Sequence, residues 1–368
     1  MTSSNALDII NIAKSYGKIK ALENITFSVK KGEYFCVLGP TGAGKTTLLK
    51  IISGLLKPDK GKIFVFGNDA TDLPPEVRNI SYMPQGYALF HHMTIYENVS
   101  YSQWIKDVKS DKPIEALKLV GLEHRKNDYP YELSGGQQQR IALARVLASG
   151  SKILLLDEPL SALDAVLNIE LREELRKMIK ELGLTAIHVT HNTTEAMSVA
   201  DRILVLRNGN IEQIGKPHEI YDMPSSIFTA SFLSEINFID GIIIGSGTGR
   251  FYIETKIGTF SILRERSFVK EGNVIVVYRP SDILVSRKAT SDDNQFKAII
   301  SDIEFLGLIT RLHLSINSWN IVADVWTSIS DRYKAGEHVY VIFPPELGII
   351  YKYPKEGLIL EISGDQNP

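Results

Sequence analysis

The chain has 368 residues, enough for two or three domains that each bury a real core. Hydrophobic residues make up 44% and charged residues 23%, and the formal net charge of -2 gives no cationic field to draw nucleic acid or anionic lipid. The single cysteine, Cys36, rules out an intramolecular disulfide and lies in the apolar run YFCVL, where a buried thiol is expected. MTSSNALDII has no basic stretch followed by an apolar one, so no secretion signal is expected, and no apolar run reaches the length of a bilayer span.

Residues 7 to 38 read as short strands broken by turns and end in the continuous apolar run before GPTGAGKTT. From 40 to 56 the spacing of Leu48, Leu49, Ile52 and Leu55 predicts a helix. Residues 110 to 150 read as mostly helical. KILLLDEP, at 152–159, is apolar until its acids, which suits a central parallel strand covered on both faces. Residues 163–182 form an amphipathic helix in which Leu163, Val166, Leu167, Leu175, Met178, Ile179 and Leu182 share a side. TAIHVTH and RILVLRNGNIEQIG return to strands. This alternation predicts an α/β domain with a parallel sheet over 1–235. From 236 to 368 short strands and Gly-bounded turns predict an all-β barrel or pair of barrels, with the polar segment RKATSDDNQ, 287–295, dividing it.

GPTGAGKTT, residues 39–47, satisfies the phosphate-loop spacing G-x-x-x-x-G-K-[ST] between an apolar strand and a helix. Gly39, Gly42 and Gly44 let the backbone amides turn toward β- and γ-phosphates, with Pro40, Thr41, Ala43 and Thr47 completing the loop. Lys45 supplies a point charge to the same oxygens, and Thr46 offers a hydroxyl to Mg²⁺. A helix N-terminus following the loop favours the anion. Asp157 and Glu158 end an apolar strand, and phosphoryl transfer needs one carboxylate for the metal and another group to orient water. LSGGQ opens a second helix, so Ser134, Gly135, Gly136 and Gln137 form another anion-binding turn in the same domain. One nucleotide does not need two such cradles from one chain, so the economical expectation is that a second copy supplies its LSGGQ. His188 and His191 are separated by an odd number along a strand, which puts them on opposite faces and argues against shared metal ligation. His91, His92 and His124 are expected as surface or capping residues.

With these motifs in place, the first 235 residues resemble the ATP-binding subunit of an ATP-binding-cassette (ABC) transporter. LSGGQ matches that family's signature, GPTGAGKTT its phosphate loop and ILLLDEP its acidic strand. The implied fold is an α/β P-loop NTPase domain with a helical subdomain over about 88–150, followed by an all-β OB/TOBE-like domain. The resemblance implies further roles. Tyr16 in KSYG would stack on adenine, and Gln85 in YMPQGYALF would bond Mg²⁺ and touch the membrane partner. Asp164 in SALD would signal across a homodimer, His191 would hold the γ-phosphate, and Glu158 would polarise water. It also implies ATP and Mg²⁺, transmembrane permease subunits on separate chains, an extracytoplasmic solute-binding protein, a place on the cytoplasmic face of the membrane, and no nucleic acid.

A cassette followed by a β-rich domain resembles the ATPases of binding-protein-dependent importers. The wording of DLPPEVRNISYMPQGYALF and FKAIISDIEFLGLITRLHL is most similar to molybdate/tungstate importers, with sugar, polyamine, iron or sulfate importers as alternatives. In that branch the extra domain can bind the oxyanion as a regulator, and Thr310 and Arg311 lie in a region that could serve. Three features depart from the family pattern: FHHMT lacks a proline after the aromatic residue, Asn192 stands where an aspartate often follows the histidine, and the segment between Asn98 and Leu133 is short. The long coiled-coil insertion of a DNA-repair cassette, the second cassette of a translation factor and the Asn-Lys-x-Asp base reader of a GTPase are all missing from the sequence.

Overall fold

The computed structural model describes residues 4–106, 110–161, 165–290, 293–330 and 333–363. The chain forms two compact units, Met1–Ile220 and Tyr221–Pro368.

The first unit opens with β1 (Asn5–Tyr16), β2 (Ile19–Lys30), β3 (Tyr34–Leu38), α1 (Lys45–Ser53), β4 (Lys60–Val65), β5 (Asn68–Asp69) and β6 (Ile80–Met83). Helices α2 (Ile95–Lys106), α3 (Lys112–Leu119) and α4 (Gly135–Ala148) follow. Next come β7 (Ile153–Asp157), α5 (Ala165–Glu181), β8 (Thr185–Thr190), α6 (Thr193–Val199), β9 (Arg202–Arg207) and β10 (Asn210–Gly215), and α7 (Pro217–Asp222) crosses into the next unit. One sheet has the order β2-β1-β4-β5 and is antiparallel. The other has the order β10-β9-β3-β8-β7-β6, parallel except for the edge strand β10. Every residue of β3, β7 and β8 is buried, as continuous apolar runs in a doubly covered sheet require. The carboxyl ends of β3 and β7 therefore deliver the phosphate loop and the acidic pair to one rim of the sheet.

Two helices differ from the sequence expectation. Helix α1 occupies only Lys45–Ser53, because Gly42 and Gly44 adopt left-handed backbone (φ 83° and 101°) and keep the loop out of the helix. Leu55 lies past its end and is exposed. Helix α5 buries Leu171, Leu175 and Ile179, one helical face, whereas Leu182 is exposed because the helix stops at Glu181 and Gly183 turns the chain. Side chains of Leu163, Val166 and Leu167 lie outside the described residues.

The second unit contains α8 (Ile227–Leu233), β11 (Asn237–Gly247), β12 (Arg250–Thr255), β13 (Gly258–Leu263), β14 (Gly272–Tyr278), β15 (Leu284–Ser286) and β16 (Gln295–Phe305). It continues with β17 (Ile309–Ile316), β18 (Trp319–Trp326), α9 (Thr327–Ser330), β19 (His338–Ile342), β20 (Ile349–Lys352) and α10 (Leu358–Ser363). Two five-stranded antiparallel sheets, β13-β12-β11-β14-β20 and β15-β19-β16-β17-β18, enclose one core around Phe260, Tyr278 and Phe343. Two sequence expectations are corrected here. Residues 287–295 do not divide the region, since they connect β15 to β16 within one sheet, and both sheets share that core. The units part at Ile220/Tyr221 rather than near 235, because α8 packs Ile227 and Ala230 against Ile275, Val277 and Ile349 of the second unit.

Candidate functional site

The phosphate loop is built by close backbone approach. A Cβ on Gly39 would sit 2.2 Å from the Leu206 carbonyl oxygen, and one on Gly44 would sit 2.4 Å from that of Ala21, so only glycine fits either position. Ala43 is buried and donates its N–H to the Pro40 carbonyl. Thr41 and Gly42 are exposed, and Thr47 is half-buried on α1. Buried Lys45 folds back so that its Nζ donates to the carbonyls of Gly39 (2.7 Å) and Pro40 (2.8 Å). Desolvation lowers its pKa, against the pull of Glu158 and Asp157. Its ammonium therefore holds the loop's shape from inside.

Asp157 ends β7 almost wholly buried and accepts from Thr46 Oγ1 (3.3 Å) and Tyr82 OH (3.2 Å). Burial raises its pKa despite those bonds. A buried carboxylate beside a hydroxyl is a hard oxygen donor set of the kind Mg²⁺ takes, and a dication there would reverse the desolvation penalty on Asp157.

Glu158, though not a glycine, has left-handed backbone (φ 51°). Strain of this kind persists only where the surroundings fix it. They do so here. Its N–H donates to the Val189 carbonyl at 2.9 Å, and its own carbonyl accepts from Gln139 Nε2 (3.0 Å) and Ser161 Oγ (3.1 Å). The carboxylate is bracketed by His191 Nδ1 at 2.9 Å on one oxygen and Gln85 Nε2 at 3.1 Å on the other. His191 and Gln85 are exposed. Helix α1 and the carboxyl ends of β6, β7 and β8 thus bring Lys45, Thr46, Gln85, Asp157, Glu158 and His191 to one rim of the parallel sheet.

LSGGQ closes on itself. Ser134 is the N-cap of α4; its Oγ accepts from Gln137 N (3.4 Å), and Gln137 Oε1 accepts from Ser134 N (2.9 Å), a capping box. Ser134 and Gly135 are exposed, a Cβ on Gly135 would meet open space, and among the described residues no hydrogen bond links the turn to the phosphate loop. Tyr16 is half exposed at the end of β1. Asp164 lies outside the described residues.

The two histidines do not share a strand, since β8 ends at Thr190 and His191 lies beyond it. His188 is fully buried, with its Nδ1 2.9 Å from Tyr34 OH and its Nε2 3.5 Å from Glu195 Oε1, while His191 faces solvent. His91, His92 and His124 are exposed. Asn192 caps α6, accepting from Glu195 N at 3.0 Å. Tyr82, Gln139 and Arg145 were missed. Gln139 carried a signal, since it is the third glutamine of a polar run and yet falls on the buried face of α4. In the second unit, Thr310 is buried against Thr327, and Arg311 is neutralised by Asp324 and Glu235. A guanidinium committed to two carboxylates offers no free charge to an oxyanion, so the pair drops out as an anion cradle.

Residues 22–161 match the family described as ABC transporter, and residues 276–350 match the TOBE domain. The chain belongs to the ABC transporter ATP-binding proteins that carry a C-terminal TOBE domain. It is 39% identical over 85% of its length to the spermidine/putrescine import ATP-binding protein PotA of Mesorhizobium japonicum, covering 88% of that protein. Likewise it is 39% identical over 92% of its length to the molybdate/tungstate import ATP-binding protein WtpC of Pyrococcus horikoshii, covering 97% of it. The sulfate/thiosulfate import ATP-binding protein CysA of Photorhabdus laumondii is also 39% identical, over 89% of this chain and 92% of its own. The solved ATP-binding cassette MJ0796, a dimer in a post-hydrolysis state bound to ADP and Pi, superposes with a TM-score of 0.54 at 34% identity, covering 57% of this chain and 98% of that one. The protein is an ABC-type ATPase, the ATP-hydrolysing subunit of an importer. Among the described residues no helix is long and apolar enough to cross a membrane.

Proposed function

We propose that two copies of this chain close head to tail around two ATP molecules. Each triphosphate lies on residues 39–47 of one copy and beneath Ser134, Gly135, Gly136 and Gln137 of the other. The observation that carries this reading is the bracketed carboxylate of Glu158, held between His191 and Gln85 at the rim where the phosphate loop ends. Glu158 orients a water for in-line attack on the γ-phosphate. His191 steadies Glu158 and donates to the phosphoryl oxygens, while the ammonium of Lys45 passes from the loop carbonyls to the β- and γ-oxygens. Thr46, Asp157 and Gln85 would hold Mg²⁺, which would supply positive charge against the developing phosphoryl charge. Exposed Tyr16 stacks on the adenine, and Asp164 signals between the copies.

The loop of Gln85 carries the motion to transmembrane permease subunits, placing the chain at the cytoplasmic face of the membrane, where an extracytoplasmic solute-binding protein supplies the cargo. No nucleic acid takes part. We assign the cargo to the molybdate/tungstate class of oxyanion, supported by local wording and by near end-to-end matching to the Pyrococcus proteins. The β-rich domain takes the same oxyanion as a regulator. A polyamine cargo is the second reading, favoured by several relatives at similar identity.

Glu158→Gln tests the chemistry. It should bind MgATP, form a stable dimer on size exclusion and lose turnover by at least about a hundredfold; a monomeric, fully active variant refutes the assignment. Cargo is tested in the assembled complex. Millimolar molybdate or tungstate should suppress ATP turnover, spermidine should not, and the reverse pattern moves the protein to the polyamine reading.

A further inference from the structure

We infer that Arg145 is a positioning residue. From the helix that begins beside Ser134, it holds the loop of Gln85 in a backbone shape that loop's own sequence disfavours, and so sets where the Gln85 amide meets Glu158. The inference rests on the roles proposed above for Gln85 and Glu158.

Tyr87 and Ala88 are consecutive non-glycine residues in the left-handed region, with φ 60° and 47°. L-residues pay a steric penalty there, and an aromatic followed by alanine has no side chain that relieves it locally. The loop's own bonds are few and tight: Tyr87 N donates to the Pro84 carbonyl at 3.1 Å, and Ala88 N to that of Gly86 at 2.6 Å. Among the described residues, the two strained carbonyls are held from outside the loop by one guanidinium. Arg145 NH2 donates to the Tyr87 carbonyl and NH1 to the Ala88 carbonyl, each at 2.8 Å.

Arg145 has little else to do. It is half-buried, and among the described residues no carboxylate pairs with it. Its plane lies over the Phe90 ring at 5.3 Å, and desolvation lowers its pKa without a compensating anion. Phe90 is itself fixed, by Asn98 bonds to its N–H (2.8 Å) and carbonyl (3.0 Å) and by Tyr101 at 4.5 Å between ring centroids. A half-buried cation satisfied only by carbonyls is costly unless the geometry it enforces matters. The planar fork suits two neighbouring carbonyls as a lysine's point charge does not. Gln85 lies two residues before Tyr87, between the end of β6 at Met83 and this clamp. The same helix reaches the other strained residue of the site, since Gln139 donates to the Glu158 carbonyl. Both members of the Gln85–Glu158 pair are therefore braced from α4.

The test uses the full chain with MgATP and follows kcat, KM and melting temperature together. Arg145→Ala should lower kcat on the order of tenfold to a hundredfold while KM stays within about threefold, the signature of lost alignment rather than lost binding. Arg145→Lys should fall between that variant and the parent. Adding Ala88→Gly to Arg145→Ala, which removes the steric cost at one of the two left-handed positions, should recover part of kcat. A kcat for Arg145→Ala within about twofold of the parent overturns the inference. So does recovery of melting temperature but not of kcat in the double variant, which would make Arg145 a plain structural prop. Failure of the underlying reading is distinguishable: Gln85→Ala or Glu158→Gln would then turn over at the parent rate.

Discussion

The Ser134 N–H is spent within its own capping box, but among the described residues the Ser134 hydroxyl and the Gly135 amide donate to no group, whereas Glu158 has every polar atom engaged. On the head-to-tail reading proposed above they serve different copies, and Ser134→Arg tests that. The added side chain fills the space above the turn without touching the phosphate loop. It should reduce ATP turnover by more than about a hundredfold, while nucleotide affinity, read by fluorescence titration, stays near the parent's. Loss of the cap costs about 1 kcal/mol, a small drop in melting temperature that serves as a control. If affinity vanished as well, the turn would be serving its own chain's nucleotide. At this scale Lys45, Thr46, Asp157 and Glu158 stood out as candidates through residue type and spacing, and His191 through the family resemblance, and the structure gathers all five at one rim. Arg145 and Gln139 did not, because what they hold is strained backbone at Tyr87, Ala88 and Glu158, and none of those residues carries the glycine that marks a left-handed position in a sequence.

Among elements, β8 and α6 set up a dependence on pH. Between them lies a closed turn in which Thr190 Oγ1 donates to Glu195 Oε2 at 2.6 Å and Asn192 caps the helix. Beneath it His188 is buried among Tyr34, Cys36 and Glu195, and desolvation lowers its pKa although Glu195 pulls the other way. An unfolded chain binds a proton at about pH 6.5 that this folded histidine refuses. The stability it confers is therefore complete above that pH and is lost as pH falls toward the lowered folded value. Urea melts from about pH 7.5 to 5 should show stability declining with acid, and His188→Gln should flatten the decline; parallel curves would contradict it. Strand existence was readable here from continuous apolar runs such as TAIHV. In the second unit the individual strands were readable too, yet their pairing was not, because antiparallel order depends on contacts between residues far apart in sequence. Residues 287–295 looked like a divider for that reason: a polar segment reads the same whether it separates two barrels or joins two strands of one sheet that lie either side of a third.

For the whole molecule, the order of motifs along the chain carried the class, and the change of texture after the cassette carried the second unit. Helix α8, IFTASFL, is mostly apolar and would suit the core of either unit, so its allegiance shows only in what Ile227 and Ala230 pack against. The cargo is hardest to read, since nothing in a nucleotide site registers the solute; relatives of equal identity are named for polyamine, molybdate and sulfate import. A last consequence follows from the reciprocal box between Ser134 and Gln137. That corner is already rigid in a lone chain, so an encounter with a nucleotide-loaded mate would sacrifice little conformational freedom there. The rate of engagement would then be governed by how often two copies collide in the right orientation, not by waiting for a floppy segment to find its shape.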